Sequence, residues 1–365
     1  MSSPVQAPAN VRAIAPYQPG KPISELVREL GIPAGTIVKL ASNENPLGMS
    51  IAARDAVRRN LCDVPRYPDG NGFALKQALA RRFGVDTAQI VLGNGSNDVL
   101  DMAARAFLNT DTSAVYSRYA FAVYPLATQT VGAQGIEVPA RDFGHDLKAM
   151  AQAIRPDTRV VFIANPNNPT GTFLPGRALR EFLADVPGDV LVVLDEAYTE
   201  YLGPEDAYDA ISWLAEFPNL LISRTFSKAY GLAGLRVGYG LGHPEVIDLL
   251  NRVRQPFNVS VLGLVAAEAA LDDLEFIAKS AELNRRGMAQ ILAGLAELGL
   301  ETMPAYGNFV TLRVGNSAAV NARLLRQGVI VRPIAGYGLP DWLRVSIGLP
   351  EENSRFLAAL RSALD

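Results

Sequence analysis

The segment VLVVLDEAY at positions 190–198 decides the fold class. It begins with five consecutive apolar residues and continues directly into two acids, Asp195 and Glu196. A strand that is apolar on both faces is typical of a parallel sheet covered by helices on its two sides. An acid at the carboxyl end of such a strand lies where open α/β sheets bind their ligands. The segment therefore predicts a buried parallel strand that ends in a functional carboxylate.

Four further β-rich runs with a similar pattern alternate with helical stretches, of which 72–83 and 98–108 are the clearest. This alternation predicts an α/β domain of three layers, with a mainly parallel mixed sheet, over residues 45–255. After Pro256 a long helical stretch, 262–300, is followed by short strands and a final helix, which predicts a smaller α+β domain over residues 256–365. Residues 1–44 read as an arm that joins the small domain and carries a helix at 23–30. The four runs are 90–92, 113–116, 160–164 and 220–223, and the short strands are 309–314, 329–332 and 343–347.

Composition excludes several classes of protein. The 365 residues carry a net charge of −3, which argues against a general nucleic-acid binder, since such proteins need a dominant basic face. A single cysteine, Cys62, excludes an internal disulfide, and two histidines, His145 and His243, are too few for a metal cluster and read as loop residues. No apolar run approaches the roughly 18 residues of a membrane span, and no secretory signal is evident. We therefore expect a soluble cytoplasmic protein without a metal site.

A lysine follows the run at 220–223, in the segment SRTFSKAYGLAGLR at 223–236. The chain has six lysines against 28 arginines, so a lysine among small and hydroxylated residues indicates an amine that has to lose its proton. A surface lysine in a glycine-rich turn is an equally good explanation of this segment alone.

Two turns follow other strands of the predicted sheet. NPNNPTG at 165–171 is a sharp turn in which one Asn-Pro bond could be cis, although a plain turn needs no function. GNGSND at 93–98 precedes a helix, whose first backbone N–H groups can bind phosphate, but a lone Gly-x-Gly is weak evidence. The apolar strand that ends in Asp195 also resembles the Mg²⁺-binding strand of a P-loop NTPase. That alternative fails because the only Gly-Lys, at 20–21, lacks the preceding glycine.

Together the four motifs specify pyridoxal phosphate as the cofactor. This cofactor needs a lysine for its aldehyde, a carboxylate for its ring nitrogen, donors to its phenolic oxygen and an anion site for its phosphate. Lys228 supplies the amine and Asp195 the carboxylate, while Asn168 and Tyr198 can donate to the phenolic oxygen. The residues expected around the phosphate are Gly95, Ser96, Thr225, Ser227 and Arg236.

With these motifs the chain resembles the fold-type I pyridoxal-phosphate aminotransferases, and within them the histidinol-phosphate aminotransferase group. The motifs NPxNPTG, DEAY and SKxxxLxGxR are intact, and the resemblance extends to the segments PYQPGKP at 16–22, LASNENPLG at 40–48 and RYPDG at 66–70. It implies a homodimer with shared active sites, in which Tyr67 reaches the phosphate of the neighbouring subunit's cofactor.

The resemblance also implies a role for each matching residue. Lys228 is the Schiff-base lysine and proton carrier, Asp195 pairs with the ring nitrogen, and Asn168 and Tyr198 hold the phenolic oxygen. Tyr119 resembles the ring that stacks on the cofactor, and Asn97 lies in the phosphate segment where many members have an acid. The residues matched to substrate binding are Tyr17, Asn45, Arg332 for the substrate's phosphate or distal carboxylate, and Arg344 for the α-carboxylate.

The implied reaction is transamination between histidinol phosphate or imidazole-acetol phosphate and glutamate or 2-oxoglutarate, in histidine biosynthesis. Segment 332–340 resembles a subgroup in which aromatic amino acids are also accepted, so an aromatic or broad-range aminotransferase is a second hypothesis. A decarboxylase of phosphorylated amino acids shares the fold and is a third. A non-catalytic ligand-sensing protein is a fourth, although every cofactor residue is kept.

Overall fold

A computed structural model describes residues 5–365, so the first four residues of the predicted N-terminal arm lie outside the described part. The described part contains twelve strands. They are β1 Val38–Lys39, β2 Ile90–Gly93, β3 Ser113–Ser117, β4 Gln134–Val138, β5 Thr158–Ala164, β6 Leu191–Asp195, β7 Leu220–Thr225, β8 Gly238–Gly242, β9 Phe309–Arg313, β10 Val329–Ile330, β11 Arg332–Pro333 and β12 Trp342–Ser346.

Thirteen α-helices occur in the same part of the chain. They are α1 Ala9–Arg12, α2 Ile23–Leu30, α3 Ile51–Arg59, α4 Phe73–Phe83, α5 Ser96–Phe107, α6 Val123–Thr130, α7 Leu147–Gln152, α8 Gly176–Asp185, α9 Pro244–Val253, α10 Val261–Leu271, α11 Leu274–Glu297, α12 Ser317–Arg326 and α13 Pro350–Leu364. Helix α2 has the predicted bounds, because Pro22 precedes its first turn and Gly31, at a φ of 67°, ends it.

Seven strands form one large sheet in the order β2-β8-β7-β6-β5-β3-β4. All neighbours are parallel except for β8, which is antiparallel to both β2 and β7. The predicted mainly parallel mixed sheet is confirmed. The sequence did not indicate β4 and β8, because β4 is a mostly exposed edge strand and β8 has the glycine-rich sequence GYGLG.

Two hydrophobic clusters cover the faces of this sheet. Along β5, Val161 and Ile163 pack into the cluster formed with α3, α4, α8 and α10, while Val160 and Phe162 pack into the one formed with α5, α6 and α9. Successive side chains of a strand point to opposite faces, so a strand buried on both sides has to be apolar throughout. The continuous apolar runs of the sequence follow from this three-layer arrangement.

The remaining strands form two small sheets, a parallel pair β1-β10 and an antiparallel sheet β11-β12-β9. The predicted strand at 329–332 is therefore two strands in different sheets. The predicted helical stretch 262–300 is also interrupted, because Asp273 caps a new helix by accepting the Phe276 N–H at 3.1 Å. The domain boundaries at residues 44/45 and 255/256 stay a prediction.

The predicted loop histidines lie outside helices and strands. His145 is buried, and its Nε2 accepts the Ala164 N–H at 3.3 Å; burial lowers the pKa of His145 to about 4. His243 caps the start of α9, and Cys62 is exposed. Among residues 5–365 we find no helix long and apolar enough to cross a membrane and no group of three metal-ligating side chains.

Strand register places the predicted motifs at one edge of the sheet. Ala164, the last residue of β5, lies beside Asp195 of β6, and Asp195 lies beside Ser223 of β7. The segments that follow these three parallel strands therefore leave the sheet at the same edge. This edge is where doubly wound sheets bind their ligands.

Candidate active site

A cavity opens at this edge between the large sheet, the arm and the three-stranded sheet. Twelve of the residues predicted for the site line it: Tyr17, Ser96, Asn97, Asn168, Asp195, Tyr198, Thr225, Ser227, Lys228, Arg236, Arg332 and Arg344.

Lys228 lies just beyond β7 and projects its amine into the cavity. Its Nζ donates to the Ser42 carbonyl at 3.1 Å and lies 6.0 Å from the centroid of the Tyr198 ring. Burial and the nearby Arg344 guanidinium lower the pKa of Lys228 to about 8, so about a tenth of the amine is neutral at pH 7. A neutral amine is what addition to an aldehyde requires.

Asp195 lies on the cavity wall at the end of β6 and is 5% exposed. Its Oδ2 accepts a hydrogen bond from the Tyr124 hydroxyl at 3.0 Å, whereas its buried Oδ1 has no partner within the described residues. Burial raises the pKa of Asp195 to about 7, although the Tyr124 bond lowers it. A buried carboxylate oxygen without a donor is costly, and the protonated ring nitrogen of pyridoxal phosphate is a donor that would satisfy it.

Asn168 and Tyr198 present donors toward the same space. Asn168 uses its Oδ1 to accept from Arg344 Nη1 at 2.5 Å, which leaves its Nδ2 hydrogens for a ligand. The Tyr198 oxygen accepts from Asn43 Nδ2 at 3.0 Å, which leaves its own hydrogen to donate. Burial raises the pKa of Tyr198 to about 12, so the hydroxyl keeps that hydrogen at neutral pH. The pair can hold a phenolic oxygen.

Both Asn-Pro bonds of the turn at 165–171, which contains Asn168, are cis.

A group of donors at the start of α5 can hold a phosphate. Ser96 and Asn97 begin this helix and line the cavity together with Arg236, Thr225 and Ser227. Backbone N–H groups at a helix start attract anions, and a guanidinium adds charge-assisted hydrogen bonds. Gly95 precedes them at a φ of 79°, a left-handed backbone conformation that favours glycine.

Two arginines from the three-stranded sheet face the cavity from the opposite side. Arg332 and Arg344 are paired neighbours on β11 and β12. Arg344 Nη2 donates to the Ala41 carbonyl at 2.8 Å, and Arg332 donates to the Gln18 carbonyl and stacks on the Tyr17 ring, 5.4 Å from its centroid. Neither forms an ion pair with a carboxylate within residues 5–365, and the buried Arg344 Nε has no partner there.

The charge balance of the cavity favours anions. Four basic side chains line it against one acid, Asp195. An excess of positive charge in a partly buried cleft concentrates anionic ligands, and unpaired guanidinium groups bind carboxylate or phosphate in bidentate fashion. The basic side chains are Lys228, Arg236, Arg332 and Arg344.

Four predicted residues do not line the cavity. One is Gly95, described above, and the others are Tyr119, Asn45 and Tyr67. Tyr119 has a φ of 62°, which turns its ring toward Phe143, with 6.0 Å between ring centroids. Asn45 donates to the Ala229 carbonyl and to Ser280 Oγ at 2.8 Å each, so it joins the loop that follows Lys228 to α11 instead of facing a ligand. Tyr67 is 82% exposed and does not reach the cavity of its own chain.

Sequence reasoning missed Phe121, Asn43 and Tyr124. Phe121 lines the cavity where a ring was expected from Tyr119, two residues earlier. Asn43 lines it as well, although its segment drew attention to Asn45. Asn43 lies in the quoted segment 40–48, and Phe121 lies two residues after Tyr119, so the sequence placed both next to predicted site residues. Tyr124 is buried in the first turn of α6, and no pattern in the sequence marks it.

Comparisons with known proteins agree with this geometry. A family model described as aminotransferase class I and II matches residues 35–360. The chain is 67% identical to histidinol-phosphate aminotransferase 1 of Thiobacillus denitrificans over 98% of this chain and 93% of that protein. It is 63% identical to histidinol-phosphate aminotransferase 1 of Dechloromonas aromatica over all of both chains. The crystal structure of histidinol-phosphate aminotransferase from Sinorhizobium meliloti in complex with pyridoxal 5′-phosphate superposes with a TM-score of 0.91, at 29% identity, over 100% of this chain and 98% of that one.

Proposed function

The chain belongs to the class I and II aminotransferases, and from that premise we propose that it transfers an amino group between histidinol phosphate and glutamate with bound pyridoxal phosphate. Glutamate would leave as 2-oxoglutarate in one half-reaction, and imidazole-acetol phosphate would accept the amino group in the other. The observation that carries the proposal is the pair of unpaired guanidinium groups, Arg332 and Arg344, opposite the Lys228 amine in one cavity. We place the reaction in the cytoplasm, where the exposed thiol of Cys62 stays reduced.

Pyridoxal phosphate, when bound, supplies an aldehyde for the amino group and a ring that stores the electron pair left when the Cα–H bond breaks. The described residues fit it at both ends. The unsatisfied Oδ1 of Asp195 can accept the ring N–H, and Ser96, Ser227 and Arg236 can bind the phosphate. Asn168 and Tyr198 can hold the phenolic oxygen between them. Together these contacts orient the ring.

Lys228 is the residue that would transfer the proton between the substrate and the cofactor. In the cofactor-free chain, burial and Arg344 lower the pKa of its amine to about 8, and Nζ would be a free amine once a substrate amino group takes its place on the cofactor. A base with a pKa close to the working pH transfers protons most efficiently. Nζ would take the proton from the substrate Cα and return it to the C4′ carbon of the cofactor.

Arg344 and Arg332 select the substrates. Glutamate offers Arg344 an α-carboxylate, a group that histidinol phosphate lacks. The distal carboxylate of glutamate and the phosphate of histidinol phosphate are each anionic, so Arg332 can bind either one with its guanidinium, whose hydrogen-bond and ring partners within residues 5–365 are the Gln18 carbonyl and the Tyr17 ring. One arginine thus serves both half-reactions.

A single-turnover panel tests the proposal. Purified protein in its pyridoxamine form is mixed with 2-oxoglutarate, imidazole-acetol phosphate or phenylpyruvate, and the return of the aldehyde form is followed by absorbance. We expect the first two to react much faster than phenylpyruvate. A comparable rate with phenylpyruvate would instead support the aromatic aminotransferase hypothesis. Release of CO₂ from phosphorylated amino acids, without need for a keto acid, would identify a decarboxylase.

Borohydride reduction locates the cofactor. Peptide mapping should find the reduced adduct at Lys228 in the protein as purified and none in Lys228→Arg, because a guanidinium does not lose its proton at accessible pH. Lys279→Arg is the matched control, since Lys279 lies on the exposed face of α11 and pairs with Glu275 at 2.6 Å. An unlabelled protein after incubation with excess cofactor would contradict the proposal.

We also propose that two chains form a homodimer with shared sites. Tyr67 stacks on Phe257, with 4.7 Å between ring centroids, and both rings are exposed to solvent in the single chain. Exposed apolar surface of this kind marks an interface with another protein. Mixing Tyr67→Phe chains with Lys228→Arg chains should restore activity above that of either variant alone, because a hybrid contains one intact site. No gain on mixing, with exchange of chains confirmed by mass, would contradict a shared site.

A further inference from the structure

Tyr124 contacts two walls of the cavity without lining it. The side chain is fully buried in α6, and its hydroxyl donates to Asp195 Oδ2 at 3.0 Å. Its ring stacks on Phe162 at 4.9 Å between centroids and meets the edge of Phe121, which lines the cavity, at 6.0 Å. The tyrosine is therefore held rigidly between the acid and an aromatic residue of the cavity wall.

This contact distinguishes the two oxygens of Asp195. Oδ2 is occupied by Tyr124, and Oδ1 is the buried oxygen without a partner in the described part of the chain. A carboxylate that has one oxygen fixed cannot rotate freely, so Oδ1 is held ready for a donor that enters the cavity. Holding a functional group in position before its partner binds avoids an ordering cost at binding.

We propose that Tyr124 is a positioning residue that acts through Asp195: it holds Oδ1 toward the ring nitrogen of the cofactor and stabilises the ionised carboxylate. The inference rests on the proposed function and adds to it a residue outside the cavity. Phe162, which stacks on the tyrosine ring, restricts where the hydroxyl can point.

The charges around Asp195 support this role. Burial raises the pKa of Asp195 and Glu196 raises it further, while the Tyr124 hydrogen bond and the Lys228 ammonium lower it. Tyr124 itself faces Tyr198 and Tyr337 as well as Asp195, and burial keeps its pKa well above the usual range for tyrosine. Tyr124 thus stays a donor at every working pH and opposes the effect of burial on the acid.

Tyr124→Phe is the decisive variant, because it removes one oxygen and keeps the ring stack. Tyr116→Phe is its matched control: Tyr116 lies in the same hydrophobic cluster, but its hydroxyl lies over Gly135 of the edge strand β4. We expect Tyr124→Phe to weaken pyridoxal phosphate binding roughly tenfold. Tyr116→Phe should leave binding unchanged.

A titration without substrate gives a second readout. With a less stabilised carboxylate, the ring proton shifts toward Asp195 and the ring loses positive charge, so the nitrogen of Lys228 holds its proton more tightly. The pH midpoint of the bound cofactor's visible absorbance should therefore rise in Tyr124→Phe, by roughly half to one unit. An unchanged midpoint would overturn the inference.

A cofactor analogue distinguishes a positioning role of Tyr124 from a packing role. In 1-deazapyridoxal phosphate a carbon replaces the ring nitrogen, so no donor meets Oδ1. Tyr124→Phe should then bind the analogue as tightly as the unmodified protein does. Equal weakening for both ligands would show that the tyrosine only packs the core.

A double-mutant cycle provides an independent check. In an Asp195→Asn background, Tyr124→Phe should cause no further loss of cofactor binding, because the two residues act in series. Additive losses would contradict the inference. If Tyr124→Phe does not fold, 3-fluorotyrosine at position 124 keeps the ring, strengthens the donor and should lower the absorbance midpoint. Failure of the unmodified protein to bind pyridoxal phosphate would refute the proposed function itself, which a failure confined to these variants would not.

Discussion

Arg344 of β12 donates its Nη1 hydrogen to Oδ1 of Asn168, which follows β5, at 2.5 Å. The bond joins the three-stranded sheet to the edge of the seven-stranded sheet, directly above the cavity. The acceptors of this guanidinium are neutral, Asn168 and the Ala41 carbonyl, so its charge is uncompensated within the described residues. A substrate carboxylate can therefore bind Arg344 without displacing a competing acid.

Arg332→Gln should affect the two substrates unequally. Phosphate carries more negative charge than a carboxylate, so we expect kcat/KM for the phosphorylated substrate to fall about 100-fold and that for glutamate about tenfold. Arg313→Gln is the control, since Arg313 lies on β9 of the same sheet with an exposed side chain near Glu301. Equal losses in both half-reactions would show that Arg332 does not distinguish the substrates.

Cofactor capture should depend on pH through Lys228. The pKa of this amine in the cofactor-free protein is about 8, lowered by burial, so the neutral form and the capture rate increase with pH, with a midpoint near pH 8 and a plateau about one unit higher. Glu44 raises the pKa of Lys228 and Arg344 lowers it. Stopped-flow mixing should therefore place the midpoint lower in Glu44→Gln and higher in Arg344→Gln. Shifts in the same direction would be inconsistent with this electrostatic origin.

Gly231→Ala should destabilise the loop that carries Lys228. Gly231 donates its N–H to the Lys228 carbonyl at 3.0 Å, has a φ of 71°, and a Cβ there would collide with the Gly48 carbonyl oxygen. We expect the free energy of unfolding in urea to fall by about 2–4 kcal/mol. Gly234→Ala, in the same loop with open space around its Cα, should change it by less than about 1 kcal/mol. Similar losses in both variants would argue against the steric explanation.

Glu196→Gln should destabilise the core behind the cavity. The carboxylate is fully buried and accepts from Arg224 Nη2 at 2.7 Å and from Arg224 Nε at 2.8 Å. Removing one member of a buried pair leaves an uncompensated charge, so we expect a loss of about 3 kcal/mol in urea denaturation. The exposed pair of Arg180 and Glu216, at 2.6 Å, is the contrast: Glu216→Gln should cost less than about 1 kcal/mol. Comparable costs at the two sites would refute the role of burial.

Local patterns were sufficient for the elements that carry the chemistry. The apolar run before Asp195 predicted β6, and the run before Lys228 predicted β7, because a strand buried on both faces has few other sequences available to it. Differences in burial and side-chain size also explain why the sequence did not predict β4 and β8. Strand β4 is mostly exposed, and β8 consists largely of glycines whose missing side chains make room for Val91, Val99 and the start of α5.

The positions of individual side chains required the tertiary structure. Tyr119 was expected to supply the ring that stacks on the cofactor. Its left-handed backbone turns the ring toward Phe143, and Phe121 lines the cavity instead. Tyr124 lies 71 positions before Asp195 and reaches it only because α6 packs on the sheet over β3 and β4, with the Tyr124 ring stacked on Phe162 of β5. By itself, the sequence determined the alternation of strands and helices and the chemical groups at the strand ends, since both follow from burial and local residue types. Only the tertiary structure decided which of those groups meet, because such contacts depend on strand register and on packing between residues far apart in the chain.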